Sequence, residues 1–120
     1  MSPDAVIVFA HGARDPEWAQ PIERLAALIA ERLPGTRVRC AYLELMQPDL
    51  ATAVGGLVGE GARRIRIVPA FLAAGGHVKR DLPLAVEGLR RAHEGVELEL
   101  RPPIGQSDAA LAAIAAVFAE

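Results

Sequence analysis

Apolar residues recur along this chain in two patterns, short unbroken runs and longer segments with helical spacing. The first run, Ala5–Ala10, is entirely apolar and rich in β-branched side chains, which is typical of a strand covered on both faces. Three later segments have the length and composition of strands. We therefore predict four strands, at residues 5–10, 38–43, 65–69 and 96–100.

Segments with helical periodicity separate these strands, and several carry boundary signals. Asp15 and Pro16 suit an N-cap and a first turn, and Pro34 with Gly35 ends the periodicity that follows. Ser107 suits the N-cap of the last helix. We predict four helices, from residues 15–16 to 33, from about residue 48 to about 61, from about Asp81 to His93, and from about Asp108 onward.

Four strands alternating with four helices over short loops predict a parallel sheet with right-handed crossovers and helices on both faces. We expect a doubly wound α/β fold with the strand order 2-1-3-4, formed by one domain over residues 1–120. In such sheets, ligands bind beyond the carboxyl ends of the strands, where the strand order reverses. That point lies between the first and third strands.

Composition and charge exclude several classes of partner. Thirteen basic and fifteen acidic side chains give a formal net charge of -2, so no overall positive field attracts nucleic acid or anionic lipid. The single cysteine, Cys40, cannot form an intrachain disulfide or a thiolate metal site. No segment resembles a signal peptide or a membrane span. We expect a cytoplasmic protein that binds neither nucleic acid nor membrane.

Two of the three histidines follow the strands that flank the predicted binding point. His11 comes directly after the first strand, His77 lies in the segment after the third, and Glu44 follows the second. Neutral imidazole binds transition metals and accepts protons near neutral pH, and a carboxylate completes a common set of divalent-metal ligands. We predict that His11, His77 and Glu44 are catalytic and metal-binding. A histidine that caps a loop and a solvated glutamate are the alternative interpretations.

Glycines and cations follow the same strands. Gly75 and Gly76 allow a broad ligand to approach the backbone, although they equally suit a tight loop. Arg14, Lys79 and Arg80 carry cationic groups that suit ligand carboxylates or phosphates, with solvated surface charge as the alternative. We predict that all five residues contact the ligand.

Three further side chains each have two interpretations. Asp81 lies four residues after His77 and orients that imidazole if the turn between them is helical. Because Asp81 precedes Pro83, it is also a candidate helix cap. Trp18 and Phe71 either line the crevice or pack in the core, and the sequence does not decide between these roles.

The segment His11-Gly12-Ala13-Arg14 is close to a phosphohistidine phosphatase motif, but that chemistry requires an arginine directly before the histidine. Ala10 occupies this position. No Gly-rich phosphate loop follows the first strand and no Gly-x-Ser-x-Gly motif occurs. These observations disfavour nucleotide and acyl-transfer enzymes and leave a phosphate-ester enzyme using His11 and Arg14 as a weaker alternative.

Several blocks, in their order and spacing, resemble the small sirohydrochlorin chelatases of the CbiX/SirB type, which belong to the class II chelatase group. The resemblance spans nearly the whole chain and rests on the combination of blocks. The sequence departs from the family pattern at Ala13, where Ser is usual, and at residues 106–108, where Gly-His-Pro is usual. The matching blocks are VIVFAHGARD (6–15), AYLEL (41–45), PDL (48–50), PAFL (69–72), GGH (75–77) and DLP (81–83).

The resemblance implies insertion of Co²⁺, Fe²⁺ or Ni²⁺ into sirohydrochlorin or a related reduced tetrapyrrole, as in cobalamin or siroheme biosynthesis, with no cofactor besides the substrate metal. The family's two active-site histidines fall on His11 and His77, and its acidic residue falls on Glu44. Longer members contain two such halves, so the resemblance also implies a homodimer. A non-catalytic tetrapyrrole or metal carrier of the same fold is the alternative.

Overall fold

The computed structural model describes residues 2–120 and contains one four-stranded parallel sheet. Its strands are β1 (Ala5–Ala10), β2 (Arg37–Tyr42), β3 (Arg64–Pro69) and β4 (Glu97–Leu100). They lie in the order β2-β1-β3-β4. This order confirms the predicted α/β fold and places the reversal of strand order between β1 and β3.

Helices connect the strands and follow the last one. The α-helices are α1 (Gln20–Arg32), α2 (Leu50–Gly59), α3 (Gly76–Ala92) and α4 (Asp108–Phe118). Single turns of 3₁₀ helix lie at Pro16–Ala19 and Ile104–Gln106. Within residues 2–120, no helix is long and apolar enough to cross a lipid bilayer.

β1 is at the centre of the sheet and is buried on both faces. Ala5 lies opposite Arg37 of β2 and Ile65 of β3, and the parallel register continues from there. All six residues of β1 are buried. This burial explains the unbroken apolar run, because a central parallel strand has no solvated face on which polar side chains could alternate.

The main hydrophobic core lies between the sheet and helices α2 and α3. It combines alternate residues of β1 and β3 with the inner faces of the two helices. Its members include Ile7, Phe9, Val54, Leu57, Ile67 and Val86. A smaller cluster of Ala10, Ala19 and Tyr42 packs on the opposite face together with Ile22 of α1. No residue of α4 is buried, so on this face the helical cover comes from α1.

The start of α3 differs from the prediction. Asp81 followed by Pro83 was expected to open this helix near Asp81, but Gly75 is the N-cap and α3 begins at Gly76. The N–H of Lys79 donates to the carbonyl oxygen of Gly75 at 3.0 Å, which forms the first helical turn. Pro83 lies inside α3. Inside a helix, proline lacks the N–H for one backbone hydrogen bond and its ring crowds the carbonyl of residue i−4, so Pro83 destabilises α3 without ending it.

The predicted first helix is divided in two. Asp15 accepts a hydrogen bond from the N–H of Glu17 at 3.0 Å and caps the 3₁₀ turn at Pro16–Ala19. α1 then begins at Gln20, with Pro21 in its first turn. A second proline at a position suited to a helix start explains the break in the helix.

Asp4 stabilises the amino end of β1, opposite the carboxyl edge. Its Oδ2 atom accepts hydrogen bonds from the N–H groups of Arg63 and Arg64 at 2.8 and 3.0 Å. These hydrogen bonds hold the pKa of Asp4 below its ordinary value of 3.8. Because the folded pKa is lowered, the contribution of Asp4 to stability is present above pH 3.8 and is lost as the pH falls through the folded pKa.

Asp4→Asn is therefore expected to lower the melting temperature at neutral pH, and the difference from wild type is expected to shrink as the solution is acidified. Thermal melts between about pH 7 and about pH 3 measure this effect. Glu94→Gln, which removes an exposed carboxylate, is the matched control. A difference that stays constant across this pH range contradicts the assigned role of the Asp4 carboxylate.

Candidate active site

An open cleft of about 700 Å³ lies at the carboxyl edge of the sheet. The loops that follow β1 and β2 meet the N-terminal ends of α2 and α3 around it. The structure therefore places residues from four elements, distant in sequence, around one cavity at the predicted binding point. The polar residues of its lining include His11, Glu44, Asp49, His77 and Asp81.

His11 and Glu44 are held together because the pairing of β1 with β2 continues past the strand ends. The N–H of Leu43 donates to the carbonyl oxygen of Ala10 at 2.9 Å, and the N–H of Glu44 donates to that of His11 at 3.1 Å. The side chains then approach, with 3.9 Å between His11 Nε2 and Glu44 Oε1. Both side chains are about half exposed, so an imidazole and a carboxylate are accessible side by side.

Gly12 permits this close approach. Its φ is +97°, in the left-handed region that favours glycine. A Cβ at this position would collide with the carbonyl oxygen of Glu44. The backbone of Glu44 therefore packs directly against the residue that follows His11, and no larger residue fits without moving one of the two loops.

His77 lies in the first turns of α3 and is paired with Asp81. The distance between His77 Nε2 and Asp81 Oδ2 is 3.0 Å, at the i,i+4 spacing of one helix face. The turn between them is helical, which is the condition under which the sequence predicted this contact. With the Asp81 carboxylate beside Nε2, Nδ1 is the ring nitrogen of His77 that is left to bind a metal or accept a proton.

Phe71 packs in the core beside His11. Its ring is buried and lies edge-on to the rings of Phe9 and His11, with centroid distances of 5.9 and 6.0 Å. Phe71 is absent from the lining of the cleft, so of the two interpretations left open by the sequence the structure supports packing in the core, where the ring also lies against the His11 imidazole. Trp18 lies on the 3₁₀ turn before α1 and is absent from the lining of the cleft.

Asp49 lines the cleft but is not among the predicted site residues. Its Oδ1 atom accepts a hydrogen bond from the N–H of Thr52 at 2.8 Å and caps α2. This hydrogen bond lowers the pKa of Asp49, so the carboxylate is ionised at neutral pH. Its position in the sequence could have predicted this place in the cleft, because a helix cap that closely follows β2 lies at the carboxyl edge of the sheet.

The cleft is acidic. Glu44, Asp49 and Asp81 line it, whereas no Lys or Arg from residues 2–120 does so. Tyr42 also lines the cleft. Burial is the main cause, and the neighbouring Cys40 the second, that raises the pKa of its hydroxyl to about 12, so the phenol is neutral at neutral pH. Three carboxylates beside two imidazoles produce a local field that attracts cations.

The predicted cationic contacts lie outside the cleft lining. Arg14 borders a shallow depression beside Tyr42, and Lys79 borders a second cavity of about 460 Å³ on the other side of α3. Arg80 approaches Asp81, with 3.7 Å between Nε and Oδ1. The separation of Arg14 from the His11 cleft also removes the cation that a phosphate-ester enzyme would need there.

The two predicted glycines have different positions. Gly75 lines the cleft and caps α3, whereas Gly76 is the first residue of that helix. Among residues 2–120, no three His, Cys, Asp or Glu side chains are close enough together to ligate one ion. His11, His77 and Glu44 surround the same cavity, and their role as a ligand set stays a prediction.

Comparison with known proteins supports one family. The family model CbiX matches residues 5–120. The crystal structure of a CbiX protein from Marinobacter aquaeolei VT8 has a TM-score of 0.83 and 37% identity, over 97% of this chain and 94% of that chain. The sirohydrochlorin cobaltochelatase of Methanosarcina acetivorans is 32% identical over 78 residues, which are 65% of this chain and 60% of that protein.

A more distant structure shares the fold. The sirohydrochlorin chelatase SirB from Bacillus subtilis subspecies spizizenii, in complex with cobalt, has a TM-score of 0.80 and 21% identity. The similarity covers 98% of this chain and 50% of that one. This chain therefore spans half the length of SirB and about three fifths of the archaeal cobaltochelatase. Because the family model matches from β1 through α4, this chain belongs to the CbiX family.

Proposed function

We propose that this protein inserts a divalent metal ion into sirohydrochlorin or a related reduced tetrapyrrole. The observation that carries the proposal is the acidic cleft in which His11, Glu44 and His77 line one cavity. Metal insertion brings in a divalent cation and removes two pyrrole N–H protons. It therefore requires carboxylates that attract the cation and neutral imidazoles that accept protons. The substrate ion is Co²⁺, Fe²⁺ or Ni²⁺, and no other cofactor takes part.

The relatives support the same reaction. The Methanosarcina acetivorans protein is named a sirohydrochlorin cobaltochelatase, the Marinobacter aquaeolei protein is assigned to cobalamin biosynthesis, and SirB binds cobalt in its structure. We extend cobalt insertion and a place in tetrapyrrole biosynthesis to this chain, with residues 1–120 as one chelatase domain. A cytoplasmic location is part of the proposal.

The proposed catalytic residues lie on two sides of the cleft. On one side His11 Nε2 is 3.9 Å from Glu44 Oε1, and on the other His77 Nε2 is 3.0 Å from Asp81 Oδ2. Each departing pyrrole proton passes to an imidazole, and the electron pair that held it binds the incoming metal. Glu44 offsets part of the charge of the ion while both species occupy the cleft.

The cations outside the cleft suit the rim of the substrate. Sirohydrochlorin carries carboxylate side chains around its ring, and the acidic lining of the cleft repels them. We assign the substrate carboxylates to Arg14, Lys79 and Arg80, whose charged groups lie around this edge of the sheet. Gly75 and Gly76 have no side chain that would prevent the macrocycle from approaching the start of α3.

The size of the substrate favours a homodimer. A tetrapyrrole about 15 Å across spans about three strands at a spacing of about 4.8 Å. The cleft is open to solvent along the carboxyl edge, and its two imidazoles are more than half exposed. We propose that a second copy of the chain supplies the opposite wall and thereby excludes water from the reacting centre.

A turnover assay distinguishes this enzyme from a carrier of the same fold. Sirohydrochlorin and Co²⁺ are mixed anaerobically with protein at about one hundredth of the tetrapyrrole concentration, and metallated product is followed by absorbance. A chelatase forms many equivalents of product for each protein molecule. If product never exceeds one equivalent above the protein-free control, the protein is a carrier and the proposal is wrong.

Asp81 is expected to act as a positioning residue for His77. Asp81→Ala should lower the insertion rate by about 10- to 100-fold, because it frees the imidazole to rotate and removes the acceptor that fixes its tautomer. Asp81→Asn should restore much of the rate, since its amide oxygen can also face Nε2 of His77 and favour the same tautomer. Initial rates at saturating substrate measure the effect.

The matched control for Asp81 is Glu87→Ala, which removes another surface ion pair of α3, with Arg90 at 3.3 Å. This variant should insert metal at the wild-type rate. Equal losses in Asp81→Ala and Asp81→Asn, or an equal loss in Glu87→Ala, would show that Asp81 affects the helix rather than the orientation of His77.

A further inference from the structure

A second cavity, of about 460 Å³, lies on the other side of α3 from the cleft. It opens at the carboxyl edge of the sheet, because Pro69 and Leu100, the last residues of β3 and β4, are in its lining. We call it the β4 cavity. Val78 and Leu82 of α3 line both the β4 cavity and the cleft. The two therefore adjoin each other across the first turns of one helix.

The loops that follow β3 and β4 are joined by backbone contacts around the β4 cavity. The N–H of Arg101 donates to the carbonyl oxygen of Ile67 at 3.0 Å, and the N–H of Gly105 donates to that of Phe71 at 2.9 Å. A Cβ at Gly105 would collide with the carbonyl oxygen of Leu72. Leu72 and Arg101 therefore line the cavity from segments that the sheet holds in place.

The β4 cavity has the opposite charge to the cleft. Among residues 2–120, its charged lining residues are Lys79 and Arg101, and no Asp or Glu lines it. Arg101 approaches Glu99, with 3.4 Å between Nη1 and Oε1, but the same oxygen accepts a hydrogen bond from Nε of Arg66 at 2.9 Å. Because two guanidinium groups share one carboxylate, the cavity has positive charge left for an anionic ligand group.

Most of the remaining lining is apolar. Its leucines and prolines include Leu72, which is 62% exposed, and Pro102 and Pro103 of the loop after β4. An apolar wall with two cations suits a carboxylate that is attached to an apolar body. A free inorganic anion has no apolar surface to bury against this wall, so the lining favours an organic carboxylate.

Small residues lie between the β4 cavity and the cleft. Ala73 and Ala74 line the β4 cavity, Gly75 lines the cleft, and a Cβ at Gly75 would meet no other atom within 4 Å. One broad, flat ligand can therefore lie across both. The cleft lies beyond β1 and β2 and the cavity beyond β3 and β4, so they are about two strand spacings, or about 10 Å, apart. A macrocycle about 15 Å across reaches about 7–8 Å from its centre, and its side chains reach further.

We infer that the β4 cavity binds a carboxylate side chain of the tetrapyrrole whose centre occupies the cleft. Lys79 and Arg101 pair with the carboxylate, and Leu72 packs against the edge of the ring. The inference rests on the proposed function and deepens it, because it adds Arg101 and Leu72 as specificity-determining residues. The cleft then attracts the metal ion, and the β4 cavity selects a macrocycle that carries carboxylates at its rim.

Titration with metal-free sirohydrochlorin, followed by absorbance, tests this site without turnover. Arg101→Ala and Lys79→Ala are each expected to raise the Kd by about 10-fold, since each removes a charged partner of the carboxylate. Arg101→Lys, which keeps the charge, should restore most of the affinity. Arg91→Ala is the matched control, because Arg91 is an exposed arginine in the last turn of α3 and lines neither cavity.

Leu72→Glu tests the apolar wall. It places a carboxylate beside the site of the substrate carboxylate and is expected to raise the Kd by at least about 10-fold. Leu84→Glu is its matched control, because Leu84 is 66% exposed, lies on α3 and lines neither cavity. Circular dichroism verifies that the variants are folded, which is expected because the replaced leucines are exposed.

A wild-type Kd in folded Arg101→Ala and Leu72→Glu overturns the inference, as does equal weakening by Leu72→Glu and Leu84→Glu. Metal insertion is measured in parallel to distinguish this outcome from failure of the proposed function. Insertion by wild type, with binding that no variant weakens, refutes the β4 cavity and leaves the chelatase standing. Binding that Arg101→Ala and Leu72→Glu weaken, without insertion by wild type, refutes the chelatase alone. Wild type that does not bind sirohydrochlorin refutes both.

Discussion

Replacing both His11 and His77 with alanine is expected to lower the rate of metal insertion by at least about 100-fold while the fold stays intact. The change removes the two imidazoles that we propose as proton acceptors and keeps the cleft carboxylates, which attract the ion. The two side chains are 51% and 80% exposed, so neither contributes to the core. The measurement is the initial rate of metallation, followed by absorbance under anaerobic conditions.

His93→Ala is the control for the double variant. His93 follows α3 at its C-terminal end, where its backbone N–H donates to the carbonyl oxygen of Leu89, and its imidazole is absent from the cleft lining. This variant should insert metal at the wild-type rate. Unchanged rates in the His11 and His77 double variant would locate the chemistry elsewhere.

Gly12→Ala is expected to reduce the free energy of unfolding by about 3 kcal/mol or more. Alanine at a φ of +97° is strained, and its Cβ collides with the carbonyl oxygen of Glu44. Relief of that collision requires the loops carrying His11 and Glu44 to separate, so insertion should slow as well. Urea denaturation measures the stability change.

Gly35→Ala separates the two causes. Gly35 has a φ of +87°, and a Cβ there meets no atom within 4 Å. Its variant should lose only the conformational contribution, about 1–2 kcal/mol. Equal losses in Gly12→Ala and Gly35→Ala would mean that the contact between Gly12 and Glu44 adds nothing to stability.

The positions of His11 and Glu44 could be predicted because each closely follows a strand that the local pattern of apolar residues identifies. An unbroken apolar run identifies β1, and parallel strands end at one edge, so residues just past them converge. The pairing of His77 with Asp81 was predictable only on the condition that the turn is helical. That condition depended on where α3 begins, and Pro83 supported the wrong start.

Other features depend on contacts between distant segments. The fit of Gly12 against Glu44 arises from two loops that meet only in the folded chain. Lys79 is two residues from His77, yet the 100° turn of each helical residue places it toward a different cavity. The exposure of α4 could not be predicted either, because an apolar helix is expected to pack against the sheet.

Chelatase activity is measured as the initial rate of sirohydrochlorin metallation by the wild-type protein, compared with a protein-free control for Co²⁺, Fe²⁺ and Ni²⁺ in turn. Catalytic amounts of protein are expected to accelerate insertion of at least one ion, and the ion with the largest acceleration indicates the pathway. Rates equal to the protein-free control for all three ions would contradict the proposed metal insertion.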